Sequence, residues 1–172
     1  HLPGGFRYDR WIEGLNAGRS FVTTGPMLLV KFDGQHPGHT FEVNLETRHT
    51  VRLTGTAKSK RPLQRMEVVV AGRVQQCLPL RNTPTAQDGY ENHIDTTIAV
   101  DTSSWIAVRC LEKHPKNRVR FAHTNPVHVD IAGKPMRPRK VECDYFVSRM
   151  KEEIARNQGR SHRREAKNGC VR

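Results

Sequence analysis

Apolar residues recur along this chain with two different periods. Tyr8, Trp11, Ile12 and Leu15 fall at i, i+3, i+4 and i+7, the spacing of one helix face. Gly18 follows, where a helix commonly closes on a left-handed residue. From Ser20 to Ile131 the period drops to two. Phe21–Thr24 and Met27–Phe32 read as strands parted by Gly25-Pro26, and Asp33-Gly34 is a hairpin-type turn signal. His39–Leu45 alternates Phe41, Val43 and Leu45 with polar neighbours, and Thr50–Thr56 repeats the pattern with Val51 and Leu53. Met66–Ala71 is a β-branched run that turns at Gly72-Arg73 into Val74–Leu80. Arg81–Asn92 reads as a polar loop, after which Ile94–Val100, Trp105–Leu111, Val119–His123 and Val127–Ile131 supply four more strands. Short strands at this spacing, with turn signals between them, predict a mainly β chain folded as an antiparallel sandwich.

The character changes past Gly133. Lys134, Pro135, Arg137, Pro138, Arg139 and Lys140 form a basic connector. A helix is predicted after it, with Asp144 near its start, Phe146, Val147, Met150 and Ile154 on one face, and Arg156 near its end. From Gln158 to Arg172 nothing is periodic and little is apolar, which predicts disorder. The organisation expected is therefore an N-terminal segment and helix (1–19), a sandwich (20–133), a connector and helix (134–157) and a basic tail (158–172).

Composition narrows the classes. A chain of 172 residues is one domain, or one with an appendage, and can bury roughly 70 % of its unfolded surface. No run approaches the roughly 18 apolar residues of a membrane-spanning helix, so no span is expected. The formal net charge of +12 points towards an anionic partner without specifying one. Cys77, Cys110, Cys143 and Cys170 are too far apart for a zinc knuckle or a redox pair. The first three read as small buried apolar side chains and Cys170 as exposed, and spacing selects no disulfide. The chain begins at His1 without a charged-then-apolar leader, and reads as a fragment or processed product.

Catalytic patterns are sparse. The nine histidines include no His-x-His or His-Glu-x-x-His. His36 and His39 flank a Pro-Gly turn, and His123 and His128, five apart on an extended segment, should point to opposite faces unless Pro126 resets the register. There is no Gly-x-Ser-x-Gly elbow and no phosphate-cradling Gly-x-x-x-x-Gly-Lys.

Three segments are more specific. Ala17-Gly18-Arg19-Ser20-Phe21-Val22-Thr23-Thr24-Gly25-Pro26 follows the short helix carrying Trp11. Trp105-Ile106-Ala107-Val108-Arg109 precedes Ala122-His123-Thr124-Asn125-Pro126-Val127. In order and spacing these resemble the C-terminal part of CehA/McbA-type metallohydrolases, in the polymerase and histidinol phosphatase (PHP) superfamily. The resemblance runs from about Tyr8 to Phe146. It implies an immunoglobulin-like β-sandwich behind a metal-binding barrel, and a final helix around 144–157. It also implies that the ligands of the parent's divalent metal lie upstream of His1, with no cofactor and no catalytic residue in this chain. The expected function is a non-catalytic accessory domain that packs on the upstream PHP-type catalytic domain and shapes substrate access. Thr24, Gly25, Pro26, His123 and Asn125 are its candidate interface or access residues.

The competing reading is a basic β-sandwich binding module for nucleic acid or another polyanion, or for carbohydrate. Lys58, Lys60 and Arg61, with Arg160, Arg163 and Arg164, would contact phosphates. Aromatic content of 6 % offers little for base stacking, so weak, sequence-indifferent attraction is the expectation.

Overall fold

A computed structural model describes residues 5–44, 49–113 and 118–168, with backbone alone at 113 and 159–168. The chain divides into two compact units between Met136 and Arg137, three residues beyond the expected boundary.

In the first unit, helix α1 (Tyr8–Asn16) precedes the strands β1 (Phe21–Thr23), β2 (Met27–Phe32), β3 (Thr40–Val43), β4 (His49–Ser59), β5 (Leu63–Val70) and β6 (Arg73–Cys77). They are followed by β7 (Thr83–Thr85), β8 (Gly89–Val100), β9 (Ser104–Lys113), β10 (Val119–Thr124) and β11 (Val127–Ile131). The larger sheet runs β1-β10-β9-β11-β3, with β5 on the other side of β9 and β6 beyond it; the smaller runs β2-β4-β8-β7. Leu28, Val30 and Phe32 of β2, Val51 and Leu53 of β4 and Ile94 and Ile98 of β8 share one core with Met66, Val68, Ile106, Val108, Val127 and Val129 of the larger sheet. The protein is thus a mainly β, two-sheet sandwich, as the alternation predicts. One pairing departs from the antiparallel expectation: β3 runs parallel to β11, His128 opposite Thr40.

The Arg81–Asn92 loop is more ordered than its polarity suggests. It contains β7, and β8 starts at Gly89. The reason is buried Asn92, whose Oδ1 accepts the backbone N–H groups of Arg81 (2.9 Å) and Asn82 (2.8 Å). Its Nδ2 donates to Asn82 Oδ1 at 3.0 Å, and Asn82 is itself bonded to both backbone groups of Leu63. Side-chain amides thereby replace part of a strand ladder.

Cys110 is buried as expected, and burial pushes its thiol up to about 11. Cys77 and Cys143 are exposed, against expectation. Cys77 ends β6, which has β5 on one side only, and Cys143 sits in the first turn of the C-terminal helix. Cys170 lies outside the described residues.

The second unit contains α2 (Lys140–Asn168), longer at both ends than expected. At its start Glu142 Oε2 accepts the Arg139 N–H at 3.0 Å, half of a capping box that begins five residues ahead of Asp144. At its end the helix continues to Asn168 through residues expected to be disordered. Arg, Glu, Ala and Lys are strong helix formers without any apolar period. Residues 169–172 of the expected tail lie outside the described residues. Among the described residues no helix is long and apolar enough to cross a membrane.

The β5–β6 turn is Ala71-Gly72, one residue ahead of the expected Gly72-Arg73. Both residues have positive φ, 45° and 79°, the mirror-image geometry that two-residue hairpins favour. Alanine strains this position and asparagine tolerates it. Ala71→Asn is therefore expected to raise stability by about 0.5–1 kcal/mol, read as a thermal midpoint higher by about 1–4 °C.

Candidate functional site

The three segments singled out by sequence lie side by side. Phe21–Thr23 forms β1, Ala122–Thr124 closes β10, and Trp105–Arg109 lies within β9; the order β1-β10-β9 makes them neighbours. Val22 stands opposite His123, His123 opposite Arg109, and Arg109 opposite Glu67 of β5. Residues directly opposite each other share a face of a sheet. The adjacent Ala122, Val108 and Met66 belong to the core. Val22, His123, Arg109 and Glu67 therefore make a row across the outer face of the larger sheet.

The row has an apolar end and an ionic end. Val22 is largely exposed, with Phe121 partly exposed one step along β10. Glu67 is only 2 % exposed. Its Oε2 accepts from Arg109 Nε at 2.5 Å, and its Oε1 lies 2.8 Å from Arg65 Nε. A buried carboxylate needs such partners, since desolvation of the bare charge would cost several kcal/mol. Sequence reasoning missed Glu67 because it sits inside a β-branched run. The available signal was Arg65 and Glu67 two residues apart, which places both on one strand face. Glu112, further along β9, is equally buried, yet neither of its oxygens has a hydrogen-bond partner among the described residues.

His123 is half-buried, and its Nδ1 donates to the Thr124 carbonyl at 2.6 Å. That fixes the ring against its own strand. Asn125 tethers the chain behind α1: its N–H donates to Ser20 O (3.0 Å) and its Nδ2 to Gly18 O (3.2 Å). Thr24, Gly25 and Pro26 carry the chain from β1 in one sheet to β2 in the other. Thr24 Oγ1 accepts the Phe121 N–H at 2.9 Å. Thr23, which sequence reasoning passed over, closes the turn: its hydroxyl accepts the Gly25 N–H at 2.9 Å and donates to Pro26 O at 2.5 Å. These five candidates thus border one strand pair instead of converging on a single point.

Lys58, Lys60 and Arg61 lie elsewhere, at the end of β4 and just beyond it in the smaller sheet's layer. Lys58 Nζ is 3.7 Å from Glu91, and Lys60 pairs with Asp88, whose carboxyl it holds below the usual range by hydrogen bond and charge. Two of the three cations are therefore matched by acids of β8 and the turn before it. Arg160, Arg163 and Arg164 fall on α2 in the second unit. Among the described residues no three His, Cys, Asp or Glu side chains come together to hold a metal.

Replacing both Arg65 and Arg109 by glutamine would strand the Glu67 charge. The double variant is expected to lose about 3 kcal/mol in denaturant unfolding, and each single variant less than half of that. Adding Glu67→Gln to the double variant is expected to restore most of the loss, because no buried charge remains.

Compared with family models, with curated proteins and with solved structures, the chain finds no match in any of the three.

Proposed function

We propose that this chain is a non-catalytic accessory sandwich of a PHP-type metal-dependent hydrolase, docking on the catalytic barrel and shaping access to it. The observation that carries this reading is the meeting of the three motif-bearing segments as adjacent strands with a common outer face. That face offers apolar Val22 and Phe121 beside His123 and the Glu67–arginine cluster. Helix α1, which the resemblance sets between barrel and sandwich, adds to it. Tyr8, Trp11 and Leu15 form its apolar stripe, yet they are 69 %, 42 % and 44 % exposed. An apolar stripe left open is the kind of surface that a neighbouring domain covers. In such a parent the barrel supplies metal-activated water for attack on an ester, amide or phosphoester. This chain would contribute surface and orientation.

The coding sequence upstream of His1 tests the reading: it should encode a barrel with clustered His and Asp, and an unrelated domain there overturns it. Trp11→Ala and Val22→Asp are expected to change the stability of this chain by no more than about 0.5 kcal/mol. The same two changes should weaken its association with that barrel supplied separately.

One observation favours a second activity alongside this one. Because α2 continues to Asn168, Arg156, Arg160, Arg164 and Lys167 fall at steps of four, four and three residues on one helix, with Arg163 next to Arg164. Such spacing gathers charge along one side. Binding to duplex DNA through about five phosphates would weaken with salt at a log–log slope near about −4.5. It should ignore sequence and vanish when the residues after Asn157 are deleted. Salt-resistant, sequence-selective binding that survives the deletion would move nucleic-acid recognition onto the sandwich and displace the accessory-domain reading.

A further inference from the structure

Among the described residues α2 is the only element of the second unit, so its apolar residues have no other element of that unit to pack against. Cys143, Phe146, Val147, Met150 and Ile154 are linked by three- and four-residue steps, which set them on one face of the helix. Cys143 is exposed, and Phe146, Val147, Met150 and Ile154 each keep half or more of their surface open. The stripe runs about 17 Å along the helix.

A second copy of α2 is a poor cover for it. The stripe is under two heptads long, and its next positions are Asn157 and Ser161. A stable helix pair needs roughly three to four heptads of apolar seam. Charge points to a different cover. Residues 149, 156, 160, 163 and 167 are all Arg or Lys and recur at steps of seven, four, three and four, along the helix side next to Phe146. Lys140, paired with Asp144, and Lys151 stand on the other flank. Arg149 and Arg156 share Glu153, but from Arg156 to Asn168 five cations stand against one acid. Duplex DNA would engage these cations alone and leave Phe146, Val147, Met150 and Ile154 in water. An anionic lipid surface engages both, its acyl chains taking the apolar residues and its headgroups the cations.

We propose that α2 docks along an anionic lipid surface, its 143–154 stripe in the headgroup–acyl boundary and its basic end on the headgroups. The helix lies along the surface, since the stripe occupies one side of it only. The proposal does not rest on the accessory-domain reading, which uses α1 and the outer face of the larger sheet, so each can fail alone.

Co-sedimentation of the full chain with phosphatidylcholine vesicles, with and without phosphatidylserine, at physiological salt tests the proposal. Half of the protein should be bound at about 1 mM mixed lipid. Pure phosphatidylcholine should bind it at least about tenfold more weakly. Phe146→Gln combined with Met150→Gln puts good helix formers at two exposed positions, and should keep the helix content read by circular dichroism. That double variant should weaken vesicle binding by at least about tenfold and leave binding of duplex DNA unchanged. Deleting the residues after Asn157 should remove most of the preference for phosphatidylserine. Equal binding to both vesicles, undiminished vesicle binding by the double variant, or a phosphatidylserine preference that survives the deletion would overturn the proposal. Loss of DNA binding in the double variant would overturn it too, by giving the stripe to the nucleic acid. So would a stable dimer in sedimentation equilibrium that the double variant dissolves, by giving the stripe to a second copy of this chain.

Discussion

Pro126 has no N–H to give a neighbouring strand, and the larger sheet is arranged around that gap. β10 and β11 lie one after the other along the same side of β9, with Asn125–Pro126 as the break between them. On their far side β1 flanks β10 antiparallel, and β3 flanks β11 parallel. The polar groups freed at the break are taken up at once. Asn125 N–H donates to Ser20 O, Pro126 O accepts the Gly38 N–H at 2.8 Å, and His128 N–H donates to His39 O. The chain behind α1 and the turn before β3 meet over this point so closely that a Cβ on Gly38 would fall 2.0 Å from Ala17 O. Gly38 also has φ +89° and Gly18 φ +69°. Only glycine meets both the conformational and the spatial demand there.

What lies on either side of the break follows from it. β1 is three residues long and pairs with the Ala122–Thr124 end of β10, next to the break. The chain then leaves for the other sheet through Thr24–Pro26. The same pairing sets Val22 against His123 and so composes the outer-face row. Glu67 is buried on that face, and without Arg65 and Arg109 it would be a bare charge in a desolvated place. The ionic cluster thus keeps an otherwise apolar strand in a single register.

The positive balance of the chain is distributed unevenly. On the sandwich, Lys58, Lys60 and Arg52 each meet an acid on β8 or the turn before it. Such exposed pairs add little stability, but they quench the local field. From Arg156 to Asn168 on α2 the only acid is Glu165, against five Lys or Arg. The helix dipole suits that order, with Glu142 and Asp144 near the start and the cations towards the end. Net charge read over the whole chain conceals that each unit carries +6, spread over 136 residues in the first and concentrated in 36 in the second.

The sequence alone determined most of the strands except β7, the presence of both helices and the two-sheet architecture, because alternation at period two and the 3.6-residue period are local properties of the chain. It also marked out the three segments that become neighbours. It did not disclose that they pair with one another, that β3 joins β11 in parallel, or that Asn92 orders a polar loop, since each depends on partners tens of residues away. Glu67 looked like an interruption in an apolar strand until Arg109, 42 residues on, was brought against it. The α1 stripe of Tyr8, Trp11 and Leu15 had the period of a buried face, and only the fold showed it turned outward. Periodicity reports that a surface is apolar; what covers that surface, or leaves it open, is decided by which elements reach it in three dimensions.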